Sequence, residues 1–333
     1  MSLRAHLAPL HLGAVIGQLA GLVRMMGWLW LVPAAIGWVY GELVVAALLS
    51  ALSLCALVLG HWGRAMLPKE LHLREALVVT ALAYPLFAAV GAIAFLPAVP
   101  LIDGFFESMS GLTTTGLTVV DVGALPKSLL FSRADMQWIG GAGIVILSVA
   151  LWNAARPASF RFRIYGPAPE EERVAGSVHA SARQLVAIYC ALTAVVCVAF
   201  LIAGMPIADA VLHGLASIST GGFSPHAESI GPHSSNHAVL VVTMGGMLLG
   251  AISFSNYQRL AHRASGTKHH RDPQLYAIFS VVLLGTFLLF ALEGGPWRAV
   301  FDTVSATTTT GFSIDDPVGW SPTRKLLVTL WMV

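Results

Sequence analysis

The chain has 333 residues, of which 56% are hydrophobic and only 11% charged, with a formal net charge of +2. Soluble domains carry roughly 25% charged residues, so a water-facing surface of ordinary extent cannot be assembled from this sequence, and a soluble enzyme is excluded. The near-neutral balance provides neither a nucleic-acid footprint nor an acidic tail.

Apolar runs at 10–40 (broken near Pro33), 43–62, 76–97, 131–152, 184–204, 238–258 and 275–292 predict seven spanning helices, and an eighth begins near Lys325. Each is about as long as a hydrocarbon core of about 30 Å requires. The first run lacks a small-residue cleavage pattern and reads as a membrane helix rather than a removed signal. Its Arg24 is expected to reach toward an interface. Cys55, Cys190 and Cys197 lie inside apolar runs and read as buried, helix-packing thiols.

The polar segments between the runs alternate in kind. Arg4 and the segments 61–75, 153–183 and 259–273 carry thirteen Lys and Arg, whereas the Thr/Gly/Asp-rich segments carry five: Lys127, Arg133, Arg298, Arg324 and Lys325. The positive-inside rule places the basic kind and the N-terminus in the cytoplasm, and the Thr/Gly segments outside.

Those Thr/Gly segments are repeats. Gly111-Leu-Thr-Thr-Thr-Gly116-Leu-Thr, Ser217-Ile-Ser-Thr-Gly-Gly222-Phe-Ser and Ala306-Thr-Thr-Thr-Thr-Gly311-Phe-Ser align without a gap. Upstream, Glu107, His213 and Asp302 share the offset nine residues before the final glycine. Downstream, Gly140-Gly141 and Gly245-Gly246 begin 24 and 23 residues after it. A unit of helix, short re-entrant helix, loop and helix is therefore written three times.

A loop that ends a half-helix within the membrane has unpaired carbonyls, which are tolerated only where they line a polar path. Carbonyls from several such loops can replace the hydration shell of a cation. Glycine permits the φ > 0 conformations that such a turn requires. Asp103, Glu107, Asp121, Asp209, Asp302, Asp315 and Asp316 fall on the same side, either as solvated loop charges or as groups drawing cations to an outer mouth. His226, His233, His237 and the pair His269-His270 match no compact metal-ligand spacing and read as loop histidines. The glycine pairs read as close helix contacts, and 160–183 as a solvated cytoplasmic loop. An intramembrane hydrolase would need Ser/His, paired Asp or zinc-spaced His at mid-bilayer, and none of the runs carries such a set. A secondary transporter would place its site on broken midplane helices. Parallel repeats entering from one side favour the channel-like plan.

The segments Phe105-Phe-Glu-Ser-Met-Ser-Gly-Leu-Thr-Thr-Thr-Gly116, Trp138-Ile-Gly-Gly-Ala-Gly-Ile-Val-Ile-Leu147, Ser219-Thr-Gly-Gly-Phe-Ser224 and Thr308-Thr-Thr-Gly-Phe-Ser313 resemble the Trk/Ktr/HKT superfamily of potassium transporters, in particular bacterial Trk membrane subunits of the TrkH/TrkG type. The resemblance implies an all-α integral membrane fold of helix–pore loop–helix units around a central pore, preceded by an N-terminal helix pair. It implies K⁺ as the transported ion, with no prosthetic group and no enzymatic activity. It also implies a homodimer in the bacterial inner membrane and a cytosolic nucleotide-binding regulatory subunit of the TrkA type. By position, the carbonyls of Thr114, Thr115 and Gly116, of Thr220, Gly221 and Gly222, and of Thr309, Thr310 and Gly311 would coordinate K⁺. Thr113, Ser219 and Thr308 would form the next layer inward. Gly221 stands where the other loops have Thr, which leaves that loop less constrained. A cation-coupled K⁺/Na⁺ symporter of the same superfamily is the alternative.

The expected organisation is a helix pair and linker over 1–74, pore repeat 1 over 75–160, a cytoplasmic loop over 161–182, repeat 2 over 183–260, a second loop over 261–273 and an incomplete repeat 3 over 274–333. The family has a fourth repeat, absent here, so the chain is expected to be a fragment.

Overall fold

A computed structural model describes residues 11–66, 73–155, 170–253, 256–257 and 273–332, and the regular elements among them are helices. The basic residues Arg4, Lys69, Arg156, Arg161, Arg163, Arg259, Arg263, Lys268 and Arg271 and the pair His269-His270 lie outside the described residues. The chain packs as two units, one of residues 1–109, 126–132 and 144–179, the other of 110–125, 133–143 and 180–333.

The first unit holds α1 (Leu12–Leu29), α2 (Leu31–Val39), α3 (Leu43–Gly63) and α4 (Leu73–Phe95). The expected break near Pro33 falls at Trp30. Proline has no N–H to offer the Leu29 carbonyl four residues back, and its ring crowds that carbonyl. Helix α1 packs on α3 across Gly27, where a Cβ would stand 3.0 Å from Leu57 Cγ and from the Ser53 carbonyl oxygen. The Ser53 hydroxyl donates to the Gly27 carbonyl at 2.5 Å. Between α2 and α3, the Glu42 carboxylate accepts from the backbone N–H groups of Lys127 (2.6 Å) and Ser128 (3.0 Å), capping the next long helix, α6 (Lys127–Ala155). A carboxylate there satisfies orphan donors and meets the positive end of the helix dipole.

Before α6 comes α5 (Leu101–Leu112). The second unit holds α7 (Glu170–Ile202) from Ala180 onward, α8 (Ile207–Ile218), α9 (His237–Ala251), α10 (Pro273–Glu293), α11 (Pro296–Thr307) and α12 (Pro322–Met332). Its core gathers Phe200, Ile218, Ile230, Leu240 and Met247 with Phe301 and Phe312. The re-entrant helices α5, α8 and α11 have 12 residues each. At 1.5 Å per residue that is about 18 Å, too short to cross a bilayer.

Among the described residues, five helical stretches are long and apolar enough to cross: Leu12–Val39, Leu43–Gly63, Arg74–Phe95, Ala182–Ile202 and Gln274–Glu293. The expected span 131–152 lies within α6, which has 29 residues. The expected span 238–258 is shorter than the sequence predicts, because α9 ends at Ala251 and Ile252 is extended. Residues 170–183, expected as loop, are helical, since α7 begins at Glu170.

Cys55 and Cys190 overturn their expectation, since both are exposed, whereas Cys197 is half-buried and its Sγ packs against Gly214 of α8. Lipid tails are as apolar as a core, so an apolar run does not distinguish a helix's packed side from its lipid side. The most apolar window of α10, only 11% of which is buried inside the protein, makes the same point.

Candidate functional site

All three Thr/Gly loops belong to the second unit. Each re-entrant helix ends in the same cap. Thr114 N–H donates to the Gly111 carbonyl at 3.0 Å and Thr115 N–H to Ser110 at 2.9 Å. In the second repeat Thr220 bonds Ser217 (3.1 Å) and Gly221 bonds Ala216 (2.9 Å), and in the third Thr309 bonds Ala306 and Thr310 bonds Ser305, both at 3.0 Å. This is the paired bonding of a Schellman motif, whose left-handed residue is usually glycine. Here it is threonine, with φ +54° at Thr114, +50° at Thr220 and +55° at Thr309. A β-branched residue held there costs of order 1–3 kcal/mol, so the surroundings must impose it.

Two residues on, φ is positive again, at Gly116 (+78°), Gly222 (+77°) and Gly311 (+86°), while Thr115, Gly221 and Thr310 between them are not left-handed. Alternating hand turns successive peptide groups toward the same side, whereas in a strand they alternate. The carbonyl ends of α5, α8 and α11, the negative ends of their dipoles, run straight into these loops.

The loops also lie against one another. A Cβ on Gly116 would overlap the Gly221 carbonyl oxygen, and one on Gly222 would overlap that of Thr310, whereas among the described residues nothing stands within 4 Å of such a Cβ on Gly311. Glycine is therefore required twice over at 116 and 222, by φ and by space.

The loops are braced from behind. Ser110 Oγ donates to the Leu117 carbonyl at 2.7 Å and Ser305 Oγ to that of Phe312 at 2.8 Å. The equivalent residue of the second repeat, Ala216, has no hydroxyl. Its place is taken by buried Gln137 of α6, whose Nε2 donates to the Gly221 carbonyl (2.5 Å) and whose Oε1 accepts from Phe223 N–H (3.0 Å). A Cβ on Gly221 would overlap the Gln137 amide, so Gly221 marks a loop held more tightly, contrary to expectation. Arg133, also buried on α6, lies 4.0 Å over the Phe223 ring and donates to the Ser224 carbonyl.

In the layer expected inward, the Ser219 and Thr308 hydroxyls donate back to the Leu215 (2.9 Å) and Val304 (2.8 Å) carbonyls, and Thr113 Oγ1 pairs with Thr115 Oγ1 at 2.7 Å. Of the paired glycines, Gly140 and Gly246 pack closely, against the ends of α5 at Leu112 and α8 at Ser217, while Gly245 faces open space. Gly141 is also close-packed, against Tyr189 and Ser219, so both glycines of the first pair make contact and only Gly246 of the second does.

Glu107, His213 and Asp302 are buried, not solvated loop charges. Asp302 Oδ2 pairs with Arg324 at 2.6 Å, and Arg324 also forks onto Asp315 (2.8 and 3.0 Å) and stacks 4.0 Å over Trp320. Burial pushes the Asp315 carboxyl up, but hydrogen bonds from Arg324 and Trp320 and the charges of Arg324 and Arg298 more than offset it and hold it below the usual range. In the second repeat, His226 and His233 both meet Asp209 Oδ2 (2.8 and 3.1 Å). The sequence spacing gave no sign of that cluster, because its members come from a helix, a loop and a 3-10 turn.

Three loops of one conformation on short re-entrant helices define an all-helical membrane protein of repeated helix–loop–helix units. The chain belongs to the TrkH family of cation transport proteins, whose family model matches residues 73–294. It is 33% identical over 273 residues to the Trk system potassium uptake protein TrkH of Vibrio parahaemolyticus, covering 75% of this chain and 56% of that protein. The protein of the same name from Escherichia coli K12 is 29% identical over 333 residues, 93% of this chain and 68% of its own length. The crystal structure of the potassium transporter TrkH from Vibrio parahaemolyticus aligns with a TM-score of 0.80 at 29% identity, over 97% of this chain and 70% of that one. The chain thus spans a little over half the length of the Vibrio relative. These relatives are named for potassium uptake, in agreement with the expected family of transport proteins.

Proposed function

We propose that the chain forms the pore-lining part of a potassium-uptake protein, in which backbone carbonyls select the ion and no covalent chemistry occurs. Thr114, Thr115 and Gly116, Thr220, Gly221 and Gly222, and Thr309, Thr310 and Gly311 would present carbonyls to K⁺, with Thr113, Ser219 and Thr308 below them. The observation that carries this reading is the left-handed, not left-handed, left-handed alternation at equivalent residues of three loops. Oxygens turned to one side and fixed by neighbouring loops can replace water around an ion without reorganising. At Gly221 the ion would share its oxygen with Gln137.

The names of the relatives support K⁺ as the ion. The placing of the basic segments supports a cytoplasmic N-terminus, and a bacterial inner-membrane location rests on the family resemblance. A homodimer and a TrkA-type nucleotide-binding partner rest on the family resemblance, as do the repeat boundaries 75–160, 183–260 and 274–333.

The test is replacement of Gly116 or Gly222 by Ser in the intact protein, with K⁺, Rb⁺ and Na⁺ uptake measured in a cell lacking other potassium uptake. Discrimination against Na⁺ should fall in both variants. Unchanged selectivity at both positions overturns the assignment.

A further inference from the structure

The second repeat ties its loop to its re-entrant helix differently from the third. In the third, the fastening is a charge network, Arg324 with Asp302 and Asp315, and Arg298 with Asp315 at 3.1 Å. In the second, the ion-pairing groups are all of metal-ligand type. Asp209 in the first turn of α8, His226 in the loop and His233 in the 3-10 turn Gly231–His233 bring one carboxylate oxygen and two imidazole nitrogens within 4.8 Å of one another.

We propose that Asp209, His226 and His233 form a binding site for a divalent transition-metal ion of the zinc class. Two imidazoles and one carboxylate are a donor set such ions accept with a position left open for water. Zinc–nitrogen and zinc–oxygen bonds of about 2.0–2.2 Å put tetrahedral ligand atoms about 3.3 Å apart. The Asp209 Oδ2 to His Nε2 separations are 2.8 and 3.1 Å, so the ion needs an expansion of a few tenths of an ångström. The Nε2 protons now given to Asp209 would move to Nδ1 through solvent, which reaches His226, whose side chain is 34% exposed.

Buried His213 backs the site without joining it. Its Nδ1 lies 2.9 Å from the Asp209 carbonyl and its Nε2 3.2 Å from Ser224 Oγ, so both ring nitrogens are engaged, and its ring centre is 6.2 Å from those of His226 and His233. Ser224 Oγ, whose single proton serves either the Ser229 carbonyl or His213 Nε2, accepts from His226 N–H. The loop ligand is thereby oriented before an ion arrives, as outer-shell hydrogen bonds do in metal sites. The inference stands on this cluster and is independent of how ions permeate.

The experiment titrates Co²⁺, then Zn²⁺, into the tag-free full chain in detergent, reading visible Co²⁺ bands, stoichiometry and thermal midpoint. The expected result is one ion per chain, bands of four- or five-coordinate intensity, and a midpoint raised by Zn²⁺. His226→Gln with His233→Gln keeps amide donors for Asp209 but removes both imidazoles. It should fold, bind at least about 10–100-fold more weakly and lose the Zn²⁺ shift. His269→Ala with His270→Ala should leave all three readouts unchanged. Absence of saturable binding in the parent chain, or binding that survives the His226/His233 pair, overturns the proposal.

Discussion

A methyl group on Gly222 would overlap the carbonyl oxygen of Thr310, because the second Thr/Gly loop lies directly against the third. Gly222→Ala must therefore both hold a left-handed alanine, at about 1–2 kcal/mol, and push a neighbouring loop aside. Gly311→Ala meets the first cost alone, since its Cβ direction is open in this chain. Thermal unfolding of the 333-residue chain in detergent should rank Gly222→Ala and Gly116→Ala clearly below Gly311→Ala. Equal losses at the three positions would mean that φ alone matters and that the loops do not touch.

Gln137 braces the second loop, whose re-entrant helix lacks the serine of repeats one and three, through different backbone groups from those the serines bond. Gln137→Leu leaves the Phe223 N–H and the Gly221 carbonyl unmatched in a buried site, at about 1–3 kcal/mol for each group. Ser110→Ala and Ser305→Ala each remove one hydrogen bond, worth about 0.5–1.5 kcal/mol. Uptake measurements should show weaker K⁺ over Na⁺ discrimination in Gln137→Leu than in either serine variant. Stability and selectivity left intact by Gln137→Leu would remove this brace from the account of the site.

What the sequence made legible was local and repeated. The Thr-x-Gly pattern placed the loops, because cap, left-handed threonine and glycine lie within six residues of one another. Pro33 likewise announced a break, which lies three residues upstream for the steric reason any proline gives. Contacts spanning long separations were not legible. Gln137 reaches Gly221 across 84 residues and Glu42 reaches Ser128 across 86. His226 and His233 matched no metal spacing because their third partner, Asp209, sits on the preceding helix. The burial of Glu107 and Asp302 was equally hidden, since a carboxylate in a polar segment looks the same whether solvent or an arginine meets it.

Arg324 neutralises Asp302 where both side chains are almost wholly enclosed. Removing one partner from such a pair leaves a buried charge and costs about 3–5 kcal/mol, whereas replacing both by apolar groups of similar volume is often neutral. Arg324→Met should therefore destabilise the chain strongly, and Arg324→Met with Asp302→Leu should recover much of the loss. Arg324→Lys should also lose stability, because an ammonium cannot fork onto Asp315 while contacting Asp302. A double-mutant cycle on unfolding midpoints measures this, and additive losses would show that the pair is not coupled.

Asp315 gives the third loop a dependence on pH with a definite sign. Although burial alone would raise its carboxyl, Arg324, Trp320 and Arg298 hold it below its ordinary value. The folded state therefore binds the proton less readily than the unfolded chain, for which an aspartate value of about 3.9 applies. The stabilisation is complete above that value and is lost as pH falls through the lower, folded one. Its size is modest, since the Asp315 side chain is 32% exposed and solvent screens the pair. The contribution of Asp315 to the thermal midpoint should decline below about pH 4. Asp315→Asn should lower the neutral-pH midpoint and make the acid decline shallower. A decline of unchanged steepness in Asp315→Asn would assign the acid sensitivity to other carboxylates.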